Sequence, residues 1–265
     1  MNRIDKKFKE LKQRRKKAFL AFIMAGDPSL STTRKLIFEL ERQGTDIIEL
    51  GVPFSDPLAD GPTIQRSSER ALKNRVNINS VCSLVRKARS RTDIPIVFLM
   101  YYNLINHYGL KRFVQRARAA GVDGVIVPDL PPEESNELRR IAKKRNFAII
   151  HLLAPTSSTK RIKMVAEASS GFIYYVSLTG TTGARENLPK EIFSSLRKIK
   201  RLTKKPISVG FGISRPEQVR SISRLADGII VGSAIIKVIE RNIGKNDLVK
   251  KVGRFVRKLI VSGGL

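Results

Sequence analysis

The chain has 265 residues, 42% of them hydrophobic and 28% charged, a composition that supports one sizeable core and argues against intrinsic disorder. Its 51 Lys and Arg against 23 Asp and Glu give a formal net charge of +28, which first suggests a nucleic-acid partner. A single cysteine and two histidines exclude an intrachain disulfide and leave no ligand set for a metal site, and no apolar run reaches the roughly 18 residues of a membrane span. The first apolar segment, after Lys17, enters a strand and turn and does not resemble a signal peptide. We therefore expect a cytoplasmic protein.

Residues 1–17 predict an extra amphipathic helix, with Ile4, Phe8 and Leu11 on one side, that packs against the N-terminal end of the fold. Eight short, almost continuously hydrophobic runs follow, and helical patterns separate them, which is typical of buried parallel strands with crossover helices. The runs begin at Phe19, Asp46, Ile94, Val122, Phe147, Gly171, Pro206 and Asp227. Eight such units in about 250 residues match a (β/α)₈ (TIM) barrel. We predict an α/β fold with one such barrel domain over residues 1–265, with extra helices after the second and eighth strands.

The long connection after the second strand contains the most informative segment, ELGVPFSDPLADGPTIQ from Glu49 to Gln65. Glu49 lies near the end of an apolar strand with the same parity as Ile47, so we expect it to point into the barrel mouth, where barrel active sites lie. Desolvation there raises a carboxyl pKa, which suits a residue that both donates and accepts a proton. The alternative is a structural ion pair with a buried Lys or Arg.

Asp60 follows in a loop rich in proline and glycine, which could aim a second carboxylate at the same pocket. Its alternative role is to cap the helix that starts near Pro62. The span 46–61 contains four acidic residues and no basic one, in a chain that is otherwise strongly cationic. Two carboxylates in this arrangement favour proton-transfer chemistry.

Glycine-rich segments follow the last two predicted strands, at Gly210–Ser214 and Val231–Ala234, and each leads into a helix. Small residues before a helix N-terminus let backbone N–H groups reach phosphate oxygens, so this corner predicts a phosphate site, with ordinary turn glycines as the alternative. The loop 178–189 has Gly180 and Gly183 around two threonines, which is typical of a mobile lid with glycine hinges. Its alternative is a disordered loop.

Several of these segments together resemble one known family, the tryptophan synthase α subunits, in order and over practically the whole chain. The segments are ELGVPFSDPLADGPTIQ from Glu49, LMYYNLINHYG from Leu99, VPDLPPEES from Val127, TGTTGA from Thr179, GFGIS from Gly210 and VGSAI from Val231. The resemblance implies a (β/α)₈ barrel that cleaves indole-3-glycerol phosphate to indole and glyceraldehyde 3-phosphate. It also implies an αββα assembly with a β subunit that carries pyridoxal phosphate and condenses the indole with serine. No cofactor is then expected in this chain.

By position, the resemblance implies that Glu49 is the general acid/base, that Asp60 stabilises the ring nitrogen and that Tyr174 is an active-site tyrosine. The implied indole pocket comprises Phe22, Leu99, Tyr101, Ile126 and Phe211, with Thr182 as the lid residue; barrel core is the alternative for its apolar members. The implied phosphate site comprises Gly183, Gly212, Gly232 and Ser233. The implied surface for the β subunit comprises Asp56, Pro57, Asn103, Pro131 and Pro132. Leu178 stands where relatives carry arginine.

Other functions stay open at this point. One is a stand-alone indole lyase of secondary metabolism, which would gain little from a β subunit. Another is a binding protein, either for nucleic acid or as a silent subunit that only activates its partner. Basic residues are spread over nearly every predicted helix without a recognition motif, which disfavours nucleic acid. The presence of both carboxylates and the phosphate glycines disfavours a silent subunit.

Overall fold

The computed structural model describes residues 1–176, 191–210 and 212–265, and its strands form one parallel sheet that curls into a nearly closed barrel. The strands are β1 (Ala18–Met24), β2 (Ile47–Gly51), β3 (Ile96–Leu99), β4 (Gly124–Ile126), β5 (Ala148–Ile150), β6 (Leu152–Leu153), β7 (Ile173–Val176), β8 (Ile207–Gly210) and β9 (Gly228–Val231). Their order in the sheet is β5-β4-β3-β2-β1-β9-β8-β7-β6. This confirms the predicted barrel.

The barrel's fifth predicted strand is interrupted, so the described residues contain nine strands in place of eight. β5 and β6 form the two edges of the sheet order, yet only His151 separates them along the chain. The first half pairs with β4 and the second half with β7. One interrupted strand therefore joins the two edges of the sheet.

Helices connect the strands, and two of them follow β2 and two follow β9, as predicted. The helices are α1 (Arg3–Gln13), α2 (Leu30–Arg42), α3 (Pro62–Lys73), α4 (Ile78–Ala88), α5 (Tyr102–Tyr108), α6 (Leu110–Ala120), α7 (Asn136–Lys143), α8 (Thr159–Ala168), α9 (Glu191–Leu202), α10 (Pro216–Ser223), α11 (Ser233–Glu240) and α12 (Leu248–Gly263). A further pair, α5 and α6, follows β3 and was not predicted. α5 has seven residues and buries only Ile105, so it leaves little hydrophobic periodicity to detect.

Alternate strand positions point to two separate cores, as the period of two requires. The outer core lies between the strands and the helices. The inner core contains Leu20, Ile47, Val97, Ile126, Ile150 and Ile230. Glu49 has the same parity as Ile47, so its side chain enters the barrel interior.

Helix α1 closes the N-terminal end of the barrel, as predicted, although it is shorter than the predicted span 1–17. Its buried face, Ile4, Phe8 and Leu11, joins the inner core, and the rings of Phe8 and Phe172 lie 5.7 Å apart. The chain leaves the helix at Arg14, and Arg15 takes a φ of 56°. With this end filled, the open end of the barrel is the one where the strands terminate.

The described residues contain neither a membrane-spanning helix nor a cluster of metal-binding side chains. Within residues 1–176, 191–210 and 212–265, no helix is long and apolar enough to cross a membrane. The same ranges contain no group of three or more His, Cys, Asp or Glu side chains that could hold a metal ion.

Candidate active site

Glu49 on β2 is a buried carboxyl group, and no cation of the described residues neutralises it. It pairs in register with Phe22 of β1 and Val97 of β3, and only 1% of it is exposed. Among the described residues, its Oε2 atom has no hydrogen-bond partner, and no Lys or Arg influences its ionisation. The ion-pair alternative is therefore wrong for the described part of the chain. Burial, aided by the charge of Asp60, raises the pKa of Glu49 to about 8.

Asp60 lies partly exposed in the loop that joins β2 to α3. Gly61 is the N-cap of α3, and no side chain of the described residues forms a capping hydrogen bond there, so the capping alternative for Asp60 is wrong. Burial raises the pKa of Asp60 to about 6, and a hydrogen bond from the Tyr101 side chain opposes this rise. Both carboxyl groups thus have raised pKa values, and they are close enough for the charge of one to affect the other.

Tyr101 holds the Asp60 loop in place from the end of β3. Its hydroxyl accepts a hydrogen bond from the backbone N–H of Ala59 at 3.0 Å and also bonds to the Asp60 carboxyl group. The ring of Phe54 stacks on the Tyr101 ring with centroids 5.2 Å apart. Phe54 was missed in the sequence, although it stands inside the most informative segment. The available signal was that Phe54 is the one aromatic residue of the loop 52–61.

Tyr174 on β7 reaches the same region of the barrel interior. It packs against the inner core, and burial, followed by the charges of Glu49 and Asp60, raises the pKa of its hydroxyl well above the usual value. A Cβ atom at Gly210 would lie 2.7 Å from that hydroxyl oxygen, so only glycine fits beside Tyr174. The structure therefore brings the three predicted catalytic residues into one region.

The predicted indole-pocket residues divide between the open mouth and the core. Phe22 lies close to two glycines: a Cβ at Gly51 would lie 2.8 Å from its Cζ atom, and one at Gly232 would lie 3.3 Å from its Cβ atom. Leu99 is partly exposed and pairs in register with Ile126, which is fully buried in the inner core. For Ile126 the core alternative stays open.

The predicted phosphate site lies beside Phe22, where β8 and β9 end as neighbours in the sheet. Gly232 is the N-cap of α11 and Ser233 is its first residue. Backbone N–H groups in the first turn have no acceptor within the helix and carry partial positive charge, which favours an anion there. Gly212 has a φ of 63°, in the left-handed region that favours glycine. Four predicted features, Thr182, Gly183, Phe211 and the lid 178–189 with Leu178, lie outside the described residues.

The five residues predicted to face a β subunit follow three neighbouring strands. Asp56 and Pro57 lie in the loop after β2, Asn103 lies on α5 after β3, and Pro131 and Pro132 follow β4. The backbone N–H of Tyr102 donates to both carboxylate oxygens of Asp129, at 2.9 and 3.1 Å, which connects the last two segments. Leu58, missed in the sequence, lies between Pro57 and Asp60 and is 94% exposed.

Comparisons with known proteins agree with this architecture and extend over nearly the whole chain. The profile of the family described as Tryptophan synthase alpha chain matches residues 8–260. The tryptophan synthase alpha chain of Geotalea daltonii is 52% identical over 245 residues, which are 92% of this chain and 93% of that one. The relative of the same name from Caldanaerobacter subterraneus subsp. tengcongensis is 48% identical over 259 residues, 98% of each chain.

Solved structures show the same likeness. The crystal structure of tryptophan synthase subunit alpha from Legionella pneumophila str. Paris superimposes with a TM-score of 0.92 at 38% identity, and covers 99% of this chain and 98% of that chain. A structure described as the tryptophan synthase a2b2 complex from Pyrococcus furiosus has a TM-score of 0.87 at 38% identity, over 92% of this chain and 98% of that chain. The chain therefore belongs to the tryptophan synthase alpha chain family.

Proposed function

We propose that Glu49 and Asp60 carry out, in the barrel mouth of this chain, the reaction of its family. That reaction is the cleavage of indole-3-glycerol phosphate to indole and glyceraldehyde 3-phosphate, after which the indole passes to the β subunit. The observation that carries the assignment is a pair of carboxyl groups that no cation in the described part of the chain neutralises, with pKa values raised to about 8 and about 6. At neutral pH the first is mostly protonated and the second mostly ionised.

The chemistry of the cleavage needs one acid and one base in these states. Carbon 3 of the indole gains a proton, positive charge develops at the ring N–H, and the adjacent side-chain hydroxyl loses its proton as the carbon–carbon bond breaks. Protonated Glu49 delivers the first proton and then recovers the one that leaves the hydroxyl. Ionised Asp60 accepts the hydrogen bond of the ring N–H. Each positioned group of this kind contributes about 10²- to 10⁴-fold to the rate.

The remaining site residues bind and orient the substrate in this proposal. Backbone N–H groups around Gly212, Gly232 and Ser233 hold the phosphate, and Gly183 joins them. Phe22, Leu99, Tyr101, Ile126 and Phe211 enclose the indole ring, and Thr182 contacts Asp60 when the lid closes. Tyr174 stays neutral and donates a hydrogen bond in the pocket. The glycines beside Phe22 and Tyr174 support this placement, because larger residues would displace both rings.

The proposal extends to the partner. The Pyrococcus furiosus relative is described as an a2b2 complex. In this chain the five residues follow three neighbouring strands, where Asp56 and Asn103 are exposed, Pro57 and Pro131 are partly exposed, and Pro132 is buried. We expect these residues to face a β subunit that carries pyridoxal phosphate, in an αββα heterotetramer located in the cytoplasm. In this arrangement, residues 1–265 act as one domain, since α1 packs into the barrel end and α12 packs against α2 and α10.

Indole release by the purified chain tests the assignment. Glu49→Gln and Asp60→Asn each remove an ionisable group with little change in shape, and each should lower indole release by at least about 10²-fold. Glu69→Gln makes the same change on the exposed side of α3 and should have no effect. Full activity in both site variants would overturn the proposed roles.

A further inference from the structure

An ion-pair network connects the two helices that flank the proposed site. The Nε and Nη2 atoms of Arg70 on α3 each donate to the Asp27 carboxylate at 2.8 Å, and its Nη1 donates to Glu240 at 3.0 Å. The hydroxyl of Ser67 also donates to Asp27. Arg66, one turn earlier on α3, donates to Glu240 from Nε at 2.8 Å and from Nη2 at 3.1 Å. We call Asp27, Ser67, Arg70 and Glu240 the Arg70 network.

Each element in the Arg70 network carries part of the proposed site. α3 begins at Pro62, so its first turn follows directly after Asp60. α11 begins at Ser233, beside the glycine proposed to hold the phosphate, and ends at Glu240. Asp27 follows β1, which carries Phe22. Arg70 therefore links the segment that holds the indole end of the substrate to the helix that holds its phosphate end.

Burial, and the shared bond to Asp27, distinguish Arg70 from Arg66. The Asp27 side chain is fully buried, and 22% of the Arg70 side chain is exposed, so this two-bond pair is largely shielded from water. A planar guanidinium directs three N–H groups at two carboxylates in fixed directions, which an ammonium group does not. The Arg66 side chain is 49% exposed, and exposed pairs of this kind stabilise little.

We propose that Arg70 is a positioning residue that sets the spacing between Asp60 and the phosphate-binding N-terminus of α11. The inference rests on the proposed function, because only a substrate that contacts both ends senses their spacing. Contacts at the indole end of the substrate assist those at its phosphate end only when the two parts of the site have the correct spacing. A displacement of about 1 Å can lower the rate about 10²-fold. Ligands that contact one end alone do not depend on this distance.

The test compares the affinity for the whole substrate with the affinities for two small ligands that each resemble one end of it. For wild type, Arg70→Lys, Arg70→Gln and Glu240→Gln, we would measure kcat and KM for indole-3-glycerol phosphate, and the inhibition constants of inorganic phosphate and of indole. Arg70→Gln should lower kcat/KM by about 10²-fold, mostly through KM, while both inhibition constants change by less than about threefold. Arg70→Lys should recover only part of the loss, because it keeps the charge without the planar geometry.

Two variants keep the result interpretable. Arg66→Gln is the matched control, since it removes an arginine that also joins α3 to Glu240, and it should stay within about threefold of wild type. Glu240→Gln removes the negative charge that holds Arg66 and Arg70 to α11, and it leaves buried Asp27 paired with Arg70. It should therefore fold even where Arg70→Gln does not, and it should raise KM.

The inference is overturned if the Arg70 and Glu240 variants keep wild-type kcat/KM, or if phosphate and indole weaken as much as the substrate does. Failure of the proposed function looks different: wild type would release no indole, or Glu49→Gln would release as much as wild type.

Discussion

The hydroxyl of Tyr101 is the group whose removal tests the protonation states of the site most directly. In Tyr101→Phe the ring and its stacking on Phe54 remain, and only the hydroxyl that bonds to Asp60 and to the Ala59 N–H is lost. That hydroxyl lowers the pKa of Asp60, against the burial that raises it to about 6. Its removal should therefore raise the pKa of Asp60 further.

The size of the shift follows from the strength of the bond. A hydrogen bond to an ionised group contributes about 1.5–3 kcal/mol, and Asp60 is partly exposed, so the low end applies. Since one pKa unit corresponds to about 1.4 kcal/mol, we expect a rise of about one unit. Activity needs ionised Asp60 and protonated Glu49, so kcat/KM increases as pH rises through the first pKa and decreases through the second. In a plot of kcat/KM against pH, the acid limb reports Asp60 and should move from near pH 6 to about pH 7. The alkaline limb reports Glu49 and should stay near pH 8.

The assay is the initial rate of indole release at substrate concentrations below KM, measured from acid to alkaline pH. The substrate phosphate itself titrates at a pH of about 6, so the variant is compared with wild type in the same buffers, where this shared ionisation cancels. Tyr108→Phe is the matched control, because the Tyr108 hydroxyl donates to Asn79 instead, and both limbs should stay in place. An acid limb that keeps its wild-type position, or moves to lower pH, would refute the reasoning.

Two further predictions concern the N-terminal helix and the contact between Gly210 and Tyr174. Phe8→Ala removes a buried ring from the inner core and should lower the free energy of unfolding by about 3–5 kcal/mol in urea denaturation, whereas exposed Lys9→Ala should leave it unchanged. Gly210→Ala places a Cβ atom 2.7 Å from the Tyr174 hydroxyl and should lower indole release by at least about tenfold while the circular dichroism spectrum is kept. Normal release by Gly210→Ala would show that the position of Tyr174 is not critical.

The barrel was predictable because its signal is local. Each of the eight continuous hydrophobic runs indicates a buried parallel strand without reference to the rest of the chain. The interruption at His151 was not visible, because the run around it is hydrophobic on both sides. Helix α5 was missed for the opposite reason, since a two-turn helix with one buried residue has too little periodicity. Local patterns therefore predict the number of strand–helix units, but they do not predict an interruption within a strand or a short helix.

The site was predictable only in part, because its contacts join distant residues. The strand parity of Glu49 placed it in the barrel interior, but the sequence around Asp60 fits both a capping residue and a catalytic one. The bond between the Ala59 N–H and Tyr101, which holds the loop of Asp60, spans 42 positions, and the bond between Arg70 and Glu240 spans 170. No local pattern encodes such pairs. A detectable signal for Arg70 was its place three residues after Ser67, on the side of α3 that also buries Ala71.

The charge of the chain and the chemistry of its site are largely independent. A net charge of +28, acting alone, would lower carboxyl pKa values, yet those of Glu49 and Asp60 are both raised, with desolvation as the largest cause. Surface charges beyond about 8–10 Å are screened by physiological salt, whereas the loss of water around a buried carboxyl group is not. Burial therefore sets the protonation states in the mouth. The distributed basic residues act at the surface, where at low ionic strength their positive potential favours the approach of an anionic phosphate substrate.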